Sequence, residues 1–300
     1  MKDTFLAVVN PAAGGGRSRK LVAPALDRLR ASGIGVDIVE TTGPGQGMQI
    51  ARDGYARGYR KFIAVGGDGT SYEIVNGLFP RDPAAETPTL AFLPVGTGNS
   101  FLREFTDRGA EHAMEALLAR RSQPCDVLRL RHAGGVIHYI NLLALGFAAD
   151  VAALRARRFS AWGEVGYQSS ILISLARMRR RPFPLRVDGQ GEIDRRPSLF
   201  LTFNNSKYTG GSMLIAPRAE VNDGLVEYVR WGPIGRIGLI RNLPTLYDGT
   251  HIHHPLAERQ AAKRIDFYLD EAVDLMVDGE VLTLQCHTLD VLPSALNVVV

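Results

Sequence analysis

Four loops rich in glycine and small polar residues each follow a short apolar run near the start of the chain. They cover residues 10–17, 41–45, 66–70 and 96–99. Glycine allows the backbone to turn with positive φ and to approach a ligand closely. A helix that begins directly after such a turn offers unpaired N–H groups and the positive end of its dipole to phosphate. The four loops therefore predict a binding site for a phosphorylated ligand.

The strongest of these signals is the GGDGT segment at residues 66–70, which lies between the apolar run FIAV and the helix-like run SYEIVNGL. Its carboxylate, Asp68, is a poor contact for phosphate, so we interpret it as a partner of magnesium or water, or as a base. The segment is not a Walker-type P-loop, because the Gly-Lys-Ser/Thr sequence is missing. Nor does it match the dinucleotide fingerprint, because Tyr72 occupies the third glycine position.

Short apolar strands alternate with amphipathic helices over about the first 125 residues. This pattern predicts a mostly parallel sheet covered by helices on both faces, with the four loops at the carboxyl ends of its strands. After about Pro124, short strands separated by turn residues predict a β-rich second domain. We predict an α/β domain over residues 1–124, a β-rich domain over 125–287 with a basic helical insertion at about 151–186, and a segment, 288–300, that returns to the first domain.

The composition excludes several classes of protein. The 300 residues are 45% hydrophobic and 22% charged, with 35 Lys and Arg against 31 Asp and Glu, which is typical of an ordered globular chain. No apolar run approaches the ~18 residues that a membrane span needs. The two cysteines form neither a disulfide framework nor a metal cluster. We therefore expect a cytoplasmic protein.

Residues 151–186 carry eight arginines and a single acid, Glu164. The spacing of Ile171, Leu172 and Leu175 predicts one apolar helix face, with arginines near the C-terminal end, where they suit the helix dipole. Two interpretations stay open: a solvated helix with favourable terminal charge, or a basic amphipathic surface that meets anionic lipid headgroups. No nucleic-acid-binding motif accompanies the arginines, so we expect no nucleic-acid partner.

The glycine loops and several later segments together resemble the diacylglycerol kinase catalytic family, which includes bacterial lipid kinases and sphingosine kinases. The matching segments are Asn10-Pro11, Thr41, GGDGT with Glu73 and Asn76 behind it, PVGTGNSFLREF at 94–105, GFAAD at 146–150, APRAEVNDGLVEY at 216–228 and VDGE at 277–280. GGDGT alone is not specific, since NAD kinases share it, but the combination in this order is. One departure is Ser100, which stands where the family commonly has aspartate.

The resemblance implies a two-domain kinase, with an α/β domain like that of NAD kinases and diacylglycerol kinases and a C-terminal β-sandwich. It implies ATP as co-substrate and Mg²⁺ as the metal. The residues that it implies for the nucleotide are Asn10, Thr41, Gly66, Gly67, Asp68, Gly69, Thr70, Glu73, Thr97, Gly98 and Asn99. Those that it implies for Mg²⁺ are Glu220, Asp223 and the carbonyl of Leu225, and hard oxygen ligands suit this ion.

The reaction that the resemblance implies is transfer of the γ-phosphate of ATP to the hydroxyl of a lipid, diacylglycerol or a sphingoid-type lipid, at a membrane surface. A carboxylate must then accept the hydroxyl proton. Alternation along an extended stretch is expected to place Asp278 and Glu280 on one side. We favour Glu280 as the base, with Asp278 and Asp68 organising metal and water.

Two other functions stay open. One is a kinase for a soluble substrate such as NAD, and the other is a nucleotide- or lipid-binding regulator without turnover. The regulator is disfavoured because each candidate carboxylate is present: Asp68, Glu73, Asp223, Asp278 and Glu280. The expected partners are a lipid substrate and an anionic membrane surface, to which the protein binds peripherally, and a homodimer stays open.

Overall fold

The computed structural model describes residues 2–16, 18–95, 99–159 and 163–300. The chain divides into two units, one formed by Met1–Val127 with Leu292–Val300 and the other by Leu128–Val291. The sequence-based boundaries are 124/125 and 287/288. Among the described residues, the helices are all too short or too polar to pass through a lipid bilayer.

A parallel sheet forms the centre of the first unit. Its strands are β1 (Lys2–Val9), β2 (Gly35–Glu40), β3 (Tyr59–Gly66), β4 (Thr89–Pro94) and the C-terminal end of β19 (Cys286–Val299). They lie in the order β2-β1-β3-β4-β19, and each neighbouring pair is parallel. The helices of this unit are α1 (Ser18–Ala31), α2 (Gln46–Ala56), α3 (Asp68–Leu78) and α4 (Ala110–Ala119), with 3₁₀ turns at Ala13–Gly16 and Leu102–Glu104.

The apolar runs of the sequence explain this sheet. Phe5–Val9 in β1 and Phe62–Val65 in β3 are buried throughout, as expected for strands covered on both faces. Helix α1 buries Val22, Leu26 and Leu29, whose spacing of four and three residues places them on one helix face. These side chains belong to one apolar cluster with β1 and β3.

The register of the sheet aligns the carboxyl ends of its strands. Val9 pairs with Glu40 on one side and with Val65 on the other, and Gly66 pairs with Pro94. The loops that follow β1, β2, β3 and β4 therefore begin at one edge of the sheet, as the sequence predicts.

The second unit is rich in short strands. Its elements are the end of β5 (Ser122–His132), β6 (Gly135–Tyr139), β7 (Leu142–Gly146), α5 (Phe147–Leu154), α6 (Gly163–Ala176), β8 (Arg181–Pro182), β9 (Leu185–Val187), β10 (Pro197–Ser198), β11 (Phe200–Asn204), β12 (Tyr208–Thr209), β13 (Met213–Leu214), β14 (Val226–Trp231), α7 (Arg236–Asn242), α8 (Thr245–Asp248), β15 (Ala257–Ala262), β16 (Arg264–Phe267), β17 (Val273–Val277), β18 (Glu280–Leu284) and the start of β19. A π-helical turn at Arg155–Phe159 follows α5, and a 3₁₀ turn at Thr250–His253 follows α8.

Antiparallel pairing dominates this unit. One sheet has the order β15-β14-β11-β7-β17-β18, with each neighbouring pair antiparallel. Strand β16 pairs with β9 and with residues 288–290 of β19, and β5 forms a hairpin with β6. A buried apolar cluster that includes Phe147, Phe200 and Trp231 joins the six-stranded sheet to the helices.

The helical insertion differs from its prediction in two respects. Its last helix, α6, ends at Ala176, well before residue 186. Pro182 and Pro184 favour extended backbone in the segment that follows, where β8 lies, so the helix does not resume there. The single apolar face expected for Ile171, Leu172 and Leu175 is also wrong. Ile171 and Leu175 pack against the apolar cluster, whereas 65% of the Leu172 surface is exposed.

Candidate active site

The turn between β3 and α3 holds the first candidate acid. Gly66 ends β3, and a Cβ atom there would lie only 2.1 Å from Oγ1 of Thr70, so the turn requires glycine at this position. Gly67 caps α3 with extended backbone, and its carbonyl accepts the N–H of Thr70 at 3.0 Å. Asp68 is therefore the first residue of the helix, where the dipole favours negative charge and phosphate.

The Asp68 carboxylate connects this turn to the segment after β4. Its Oδ2 accepts the N–H of Ser100 at 3.0 Å. Burial raises the pKa of Asp68 to about 6, although hydrogen bonds from Ser100 and Phe101 act to lower it. A carboxyl group with a pKa near 6 gains and loses a proton close to neutral pH, which suits a general base.

A small recess of about 10 Å³ adjoins Asp68 and has room for about one water molecule. It is lined by Ala64, Gly66, Gly67, Asp68, Ser71, Phe92, Pro94, Asn99 and Leu102. The recess therefore lies between the ends of β3 and β4, within the first unit. Its apolar wall gives a physical reason for the raised pKa of Asp68, because apolar surroundings disfavour the charged carboxylate.

Asn10 and Thr41 lie at the same sheet edge. The N–H of Asn10 donates to the carbonyl of Val65 at 3.0 Å, and its Oδ1 accepts the N–H of Ala12 at 3.0 Å. Thr41 is buried and donates its N–H to the carbonyl of Val9 at 2.8 Å. These backbone bonds continue the strand pairing by one residue and place Asn10 beside the end of β3 and Thr41 beside the end of β1.

Glu73 has a different environment from the one expected for a nucleotide contact. Its Oε1 accepts the N–H of Gly45 and its Oε2 accepts the N–H of Gly47, each at 2.7 Å. The side chain thus holds the start of α2 against α3, and a Cβ on Gly47 would meet Oε2 at 2.6 Å. The structure gives Glu73 a role in positioning the loop after β2, and contact with the nucleotide stays a prediction.

Three residues of the predicted glycine loops cannot be placed. Thr97 and Gly98, expected at the nucleotide, and Arg17, which belongs to the first loop, lie outside the described residues. Asn99, the next residue along, is partly buried and lines the recess beside Asp68.

In the second unit, Asp278 is a buried residue of a hairpin turn between β17 and β18. Its Oδ2 accepts the N–H of Ile140 at 3.0 Å, and its Oδ1 accepts those of Asn141 and Leu142 at 3.1 and 2.9 Å. Only 3% of its surface is exposed. The carboxylate therefore holds the link between β6 and β7 against the hairpin.

The expectation that Asp278 and Glu280 extend on one side of a strand is wrong. Asp278 and Gly279 have φ values of 46° and 88°, the left-handed pair of a two-residue hairpin turn. Glu280 starts β18 and pairs with Val277. Asp278 points into the unit, whereas Glu280 is exposed.

The proposed magnesium ligands lie on a surface loop before β14. Glu220 and Asp223 are both exposed, and Oδ1 of Asp223 accepts the N–H of Leu225 at 2.9 Å. Within the described part of the chain, no group of three or more His, Cys, Asp or Glu side chains is placed to hold a metal. Two exposed carboxylates and one carbonyl nevertheless fit Mg²⁺, which prefers oxygen ligands and keeps several waters.

Two family models account for almost the whole chain. Residues 4–130 match the diacylglycerol kinase catalytic domain, and residues 141–300 match the YegS C-terminal NAD kinase beta sandwich-like domain. The chain belongs to the diacylglycerol kinase family. The predicted fold class, an α/β domain followed by a β-sandwich domain, is thereby confirmed.

Curated relatives of this diacylglycerol kinase family member match along most of their length. A diacylglycerol kinase of Mycobacterium tuberculosis is 27% identical, over 97% of this chain and 93% of the relative. A diacylglycerol kinase of Bacillus subtilis is 28% identical, over 91% and 88%. A protein named "Probable lipid kinase YegS-like" from Enterobacter is 25% identical, over 95% and 92%. At the family level, the chain is a lipid kinase.

Solved structures agree with the fold. A diacylglycerol kinase structure from Bacillus anthracis matches with a TM-score of 0.74 and 21% identity, over 99% of this chain and 96% of that one. A second structure from the same organism matches with a TM-score of 0.80 and 22% identity, over 99% and 95%. These likenesses concern the fold alone.

Among the predicted residues, the structure places Asn10, Thr41, Asn99 and the turn at 66–70 at one edge of the sheet in the first unit, with Asn99 lining the recess beside Asp68. Sequence reasoning missed the backbone N–H of Ser100 as the partner of Asp68. One signal could have indicated this partner: Ser100 directly follows the glycine loop after β4, and β4 is the neighbour of the strand that precedes Asp68. It also missed Ser71 and Phe92 as walls of the recess, because neither residue type marks a site on its own.

Proposed function

We propose that the protein is an ATP-dependent kinase that transfers the γ-phosphate to a lipid hydroxyl, of diacylglycerol or a sphingoid-type lipid, at a membrane surface. The observation that carries the proposal is the partly buried Asp68 carboxylate at the start of α3, bonded to the Ser100 N–H and with its pKa raised to about 6. It lies in a glycine turn of a domain that matches the diacylglycerol kinase catalytic model, in a chain whose relatives include proteins named diacylglycerol kinase and probable lipid kinase.

The first unit supplies the phosphate contacts in this proposal. The first turn of a helix has N–H groups without intrahelical partners and a positive dipole end, and the glycine turn lets phosphate oxygens approach them. Asn10, Thr41 and Asn99 would contact the remainder of the nucleotide. Glu73 keeps the loop after β2 in place through Gly45 and Gly47.

Phosphoryl transfer depends on positioning and on neutralising charge. The lipid oxygen forms a bond to the γ-phosphorus while the bond from that phosphorus to the bridging oxygen breaks, and ADP leaves. The proton of the lipid hydroxyl passes to a carboxylate. We assign this role to Asp68, because a pKa near 6 matches neutral pH. Glu280, the base favoured from the sequence, is the alternative.

Magnesium would be held by Glu220, Asp223 and the carbonyl of Leu225. The ion would neutralise phosphate charge during transfer. The sequence predicts that Asp278 organises metal and water, but in this proposal it has a structural role, because its oxygens accept three buried N–H groups. It would position the hairpin that carries Glu280.

A kinase for a soluble acceptor is the second candidate, because the model that matches residues 141–300 is described as NAD kinase beta sandwich-like. Transfer of labelled γ-phosphate from ATP with Mg²⁺ separates the two functions. The acceptors are mixed micelles of diacylglycerol, a sphingoid base, phosphatidylglycerol or monoacylglycerol, with NAD in solution. Label in one lipid supports the proposal, and label in NAD alone contradicts it. Bound ATP without transfer to any acceptor would support a regulator instead.

A further inference from the structure

Three consecutive polar residues stand at the end of strand β11 and are completely buried. Asn204, Asn205 and Ser206 each have 0% of their surface exposed. We call these three residues the polar triad. Asparagine and serine are seldom buried to this extent, because their polar groups lose water and need hydrogen bonds in compensation. The partners of the polar triad therefore show what the three residues contribute.

The first residue of the polar triad contacts the strand that follows the proposed magnesium ligands. Nδ2 of Asn204 donates to the carbonyl of Glu227 at 2.8 Å and to Oγ1 of Thr202 at 2.9 Å. Glu227 is the second residue of β14, two positions after Leu225, whose carbonyl is a proposed ligand. The buried carboxylate of Glu227 is held by Arg259 of β15, whose Nη2 donates to Oε2 at 2.7 Å. The start of β14 is therefore fixed from both neighbouring strands.

Packing alone does not explain an asparagine at position 204. Within the described part of the chain, Oδ1 of Asn204 is buried and has no hydrogen-bond partner. A buried acceptor without a partner costs free energy, which an apolar side chain of similar size would avoid. The bond from Nδ2 to the carbonyl of Glu227 is the feature that an apolar residue could not supply.

The other two residues of the polar triad contact the link between β6 and β7, residues 140–142. Nδ2 of Asn205 donates to the carbonyl of Ile140 at 2.8 Å, and the N–H of Asn205 donates to the carbonyl of Asn141 at 2.8 Å. The hydroxyl of Ser206 donates to Oδ1 of Asn141, a side chain that is itself buried. The polar triad thus binds the carbonyl groups and one side chain of this link.

Asp278 holds the same link through its N–H groups. Its carboxylate accepts the three N–H groups of residues 140–142, and its own N–H donates to the carbonyl of Leu142 at 3.0 Å. The link therefore cannot shift without breaking bonds to the polar triad and bonds to the hairpin turn that precedes Glu280. Buried hydrogen bonds that share groups in this way make a segment rigid.

We propose that the polar triad is a set of positioning residues that couples the magnesium turn, residues 220–225, to the hairpin that carries Glu280. Asn204 holds the strand that follows the turn, and Asn205 and Ser206 hold the link to which the hairpin is bonded. Order imposed on the turn by a bound cation reaches the hairpin through these buried bonds. The inference rests on the proposed function for its magnesium ligands. It goes beyond that function because cation affinity then depends on residues that contact no ligand.

Cation affinity tests the coupling in Asn204→Ala and Ser206→Ala. Mn²⁺ binds the same oxygen ligands as Mg²⁺, and electron paramagnetic resonance measures its free concentration, with Mg²⁺ added as competitor. We expect each variant to bind Mn²⁺ about fivefold more weakly than the unaltered protein. Asp223→Asn identifies the part of the binding that belongs to the magnesium turn.

Two matched controls separate positioning from a general loss of stability. Asn242→Ala and Ser170→Ala each remove a side-chain donor to a backbone carbonyl in the same unit, at 2.8 Å from Gly238 and 2.7 Å from Gly166. Urea unfolding compares the stability of all four variants. We expect the controls to lose stability and to bind Mn²⁺ like the unaltered protein. Equal loss of Mn²⁺ affinity in the controls and in the triad variants would overturn the proposal.

Hydrogen exchange followed by mass spectrometry gives a readout without ATP or lipid. In the unaltered protein, saturating Mg²⁺ should slow amide exchange in peptides that cover residues 220–227, 139–142 and 276–281. In Asn204→Ala and Ser206→Ala, the slowing should persist at 220–227 and disappear from the other two regions. Slowing that is confined to 220–227 in the unaltered protein, or that persists everywhere in both variants, overturns the coupling.

These outcomes distinguish the inference from the proposed function. Transfer of phosphate to a lipid by a protein in which Mg²⁺ slows exchange only at 220–227 supports the kinase and contradicts the coupling. Coupled exchange in a protein that transfers phosphate to no lipid supports the coupling and contradicts the kinase. Mn²⁺ binding that is unchanged by Asp223→Asn contradicts both the coupling and the assignment of the magnesium ligands.

Discussion

Asp68 and Asp278 each come shortly after a strand and are each followed by glycine, but their carboxylates have different surroundings. Asp278 accepts three buried N–H groups from the link between β6 and β7. Asp68 has a raised pKa because burial outweighs its hydrogen bonds from the segment after β4. The comparison shows that the same dipeptide can hold a fold together in one place and carry chemistry in another, according to its partners.

This difference has an energetic meaning. A buried carboxylate with several backbone donors stabilises the folded state, and its removal leaves those donors unpaired. A carboxylate whose pKa is raised by burial is less stable charged in the folded protein than in water, so its retention points to function. The predictions below test the two sides of this contrast, in order of decreasing effect.

Asp278→Ala is expected to lower the free energy of unfolding by about 4 kcal/mol, because three buried N–H groups lose a charged acceptor. Urea unfolding followed by circular dichroism measures the change. Asp278→Asn keeps one acceptor oxygen, so its free energy of unfolding should lie between that of Asp278→Ala and that of the unaltered protein. A loss below about 1 kcal/mol in Asp278→Ala would contradict the structural role.

Asp68→Asn is expected to lower kcat for phosphate transfer about 100-fold, equivalent to about 2.7 kcal/mol, because the amide cannot accept the hydroxyl proton. Steady-state kinetics with γ-labelled ATP measure it. Glu280→Gln is the matched test of the other candidate base. A larger loss in Glu280→Gln than in Asp68→Asn would transfer the role to Glu280.

The pH dependence of stability should distinguish Asp68 from an ordinary carboxylate. Its pKa rises from 3.8 to about 6 in the folded protein, so between these values the folded state binds more protons than the unfolded state. Ionisation of Asp68 therefore destabilises the protein as pH rises from about 4 to 6, by about 2 kcal/mol. The unfolding free energy of Asp68→Asn minus that of the unaltered protein should increase over this window. A flat difference would show that Asp68 titrates normally.

Glu73→Gln tests whether a third carboxylate, Glu73, supports the fold, the binding of ATP, or both. The amide has a single oxygen, so one of the N–H groups of Gly45 and Gly47 loses its partner, and stability should fall by about 1.5 kcal/mol. We also expect a several-fold rise in KM for ATP with little change in kcat, because the loop after β2 loosens. Glu86→Gln, an exposed change, is the control. An unchanged KM in a destabilised variant would limit Glu73 to a structural role.

The sequence could predict those features that depend on local pattern. Apolar runs such as Phe5–Val9 indicated buried strands, and the position of GGDGT between a strand and a helix indicated the site edge. The partners of Asp278 could not be predicted, because Ile140 and its neighbours lie more than 130 residues away along the chain. The bonds from Gly45 and Gly47 to Glu73 could not be predicted either, because these residues are separated by 28 and 26 positions and meet only in the folded chain.

The spacing of apolar residues did not indicate the exposed faces of α6 and α7 correctly. The spacing predicts one face for Ile171, Leu172 and Leu175, yet Leu172 is exposed, whereas Ile171 and Leu175 pack against the apolar cluster of this unit. Helix α7, with seven residues, is too short for its period to indicate which isoleucines face outward. Tertiary contacts decided both cases.

The central claim is that Asp68 serves phosphate transfer to a lipid and not the stability of the fold. The most direct test measures transfer from γ-labelled ATP to the lipid acceptors in the unaltered protein and in Asp68→Asn, with urea unfolding of both near neutral pH. We predict label in a lipid for the unaltered protein, about 100-fold slower transfer in the variant, and a variant at least as stable. Undiminished transfer by Asp68→Asn, or label in NAD alone, would contradict the account.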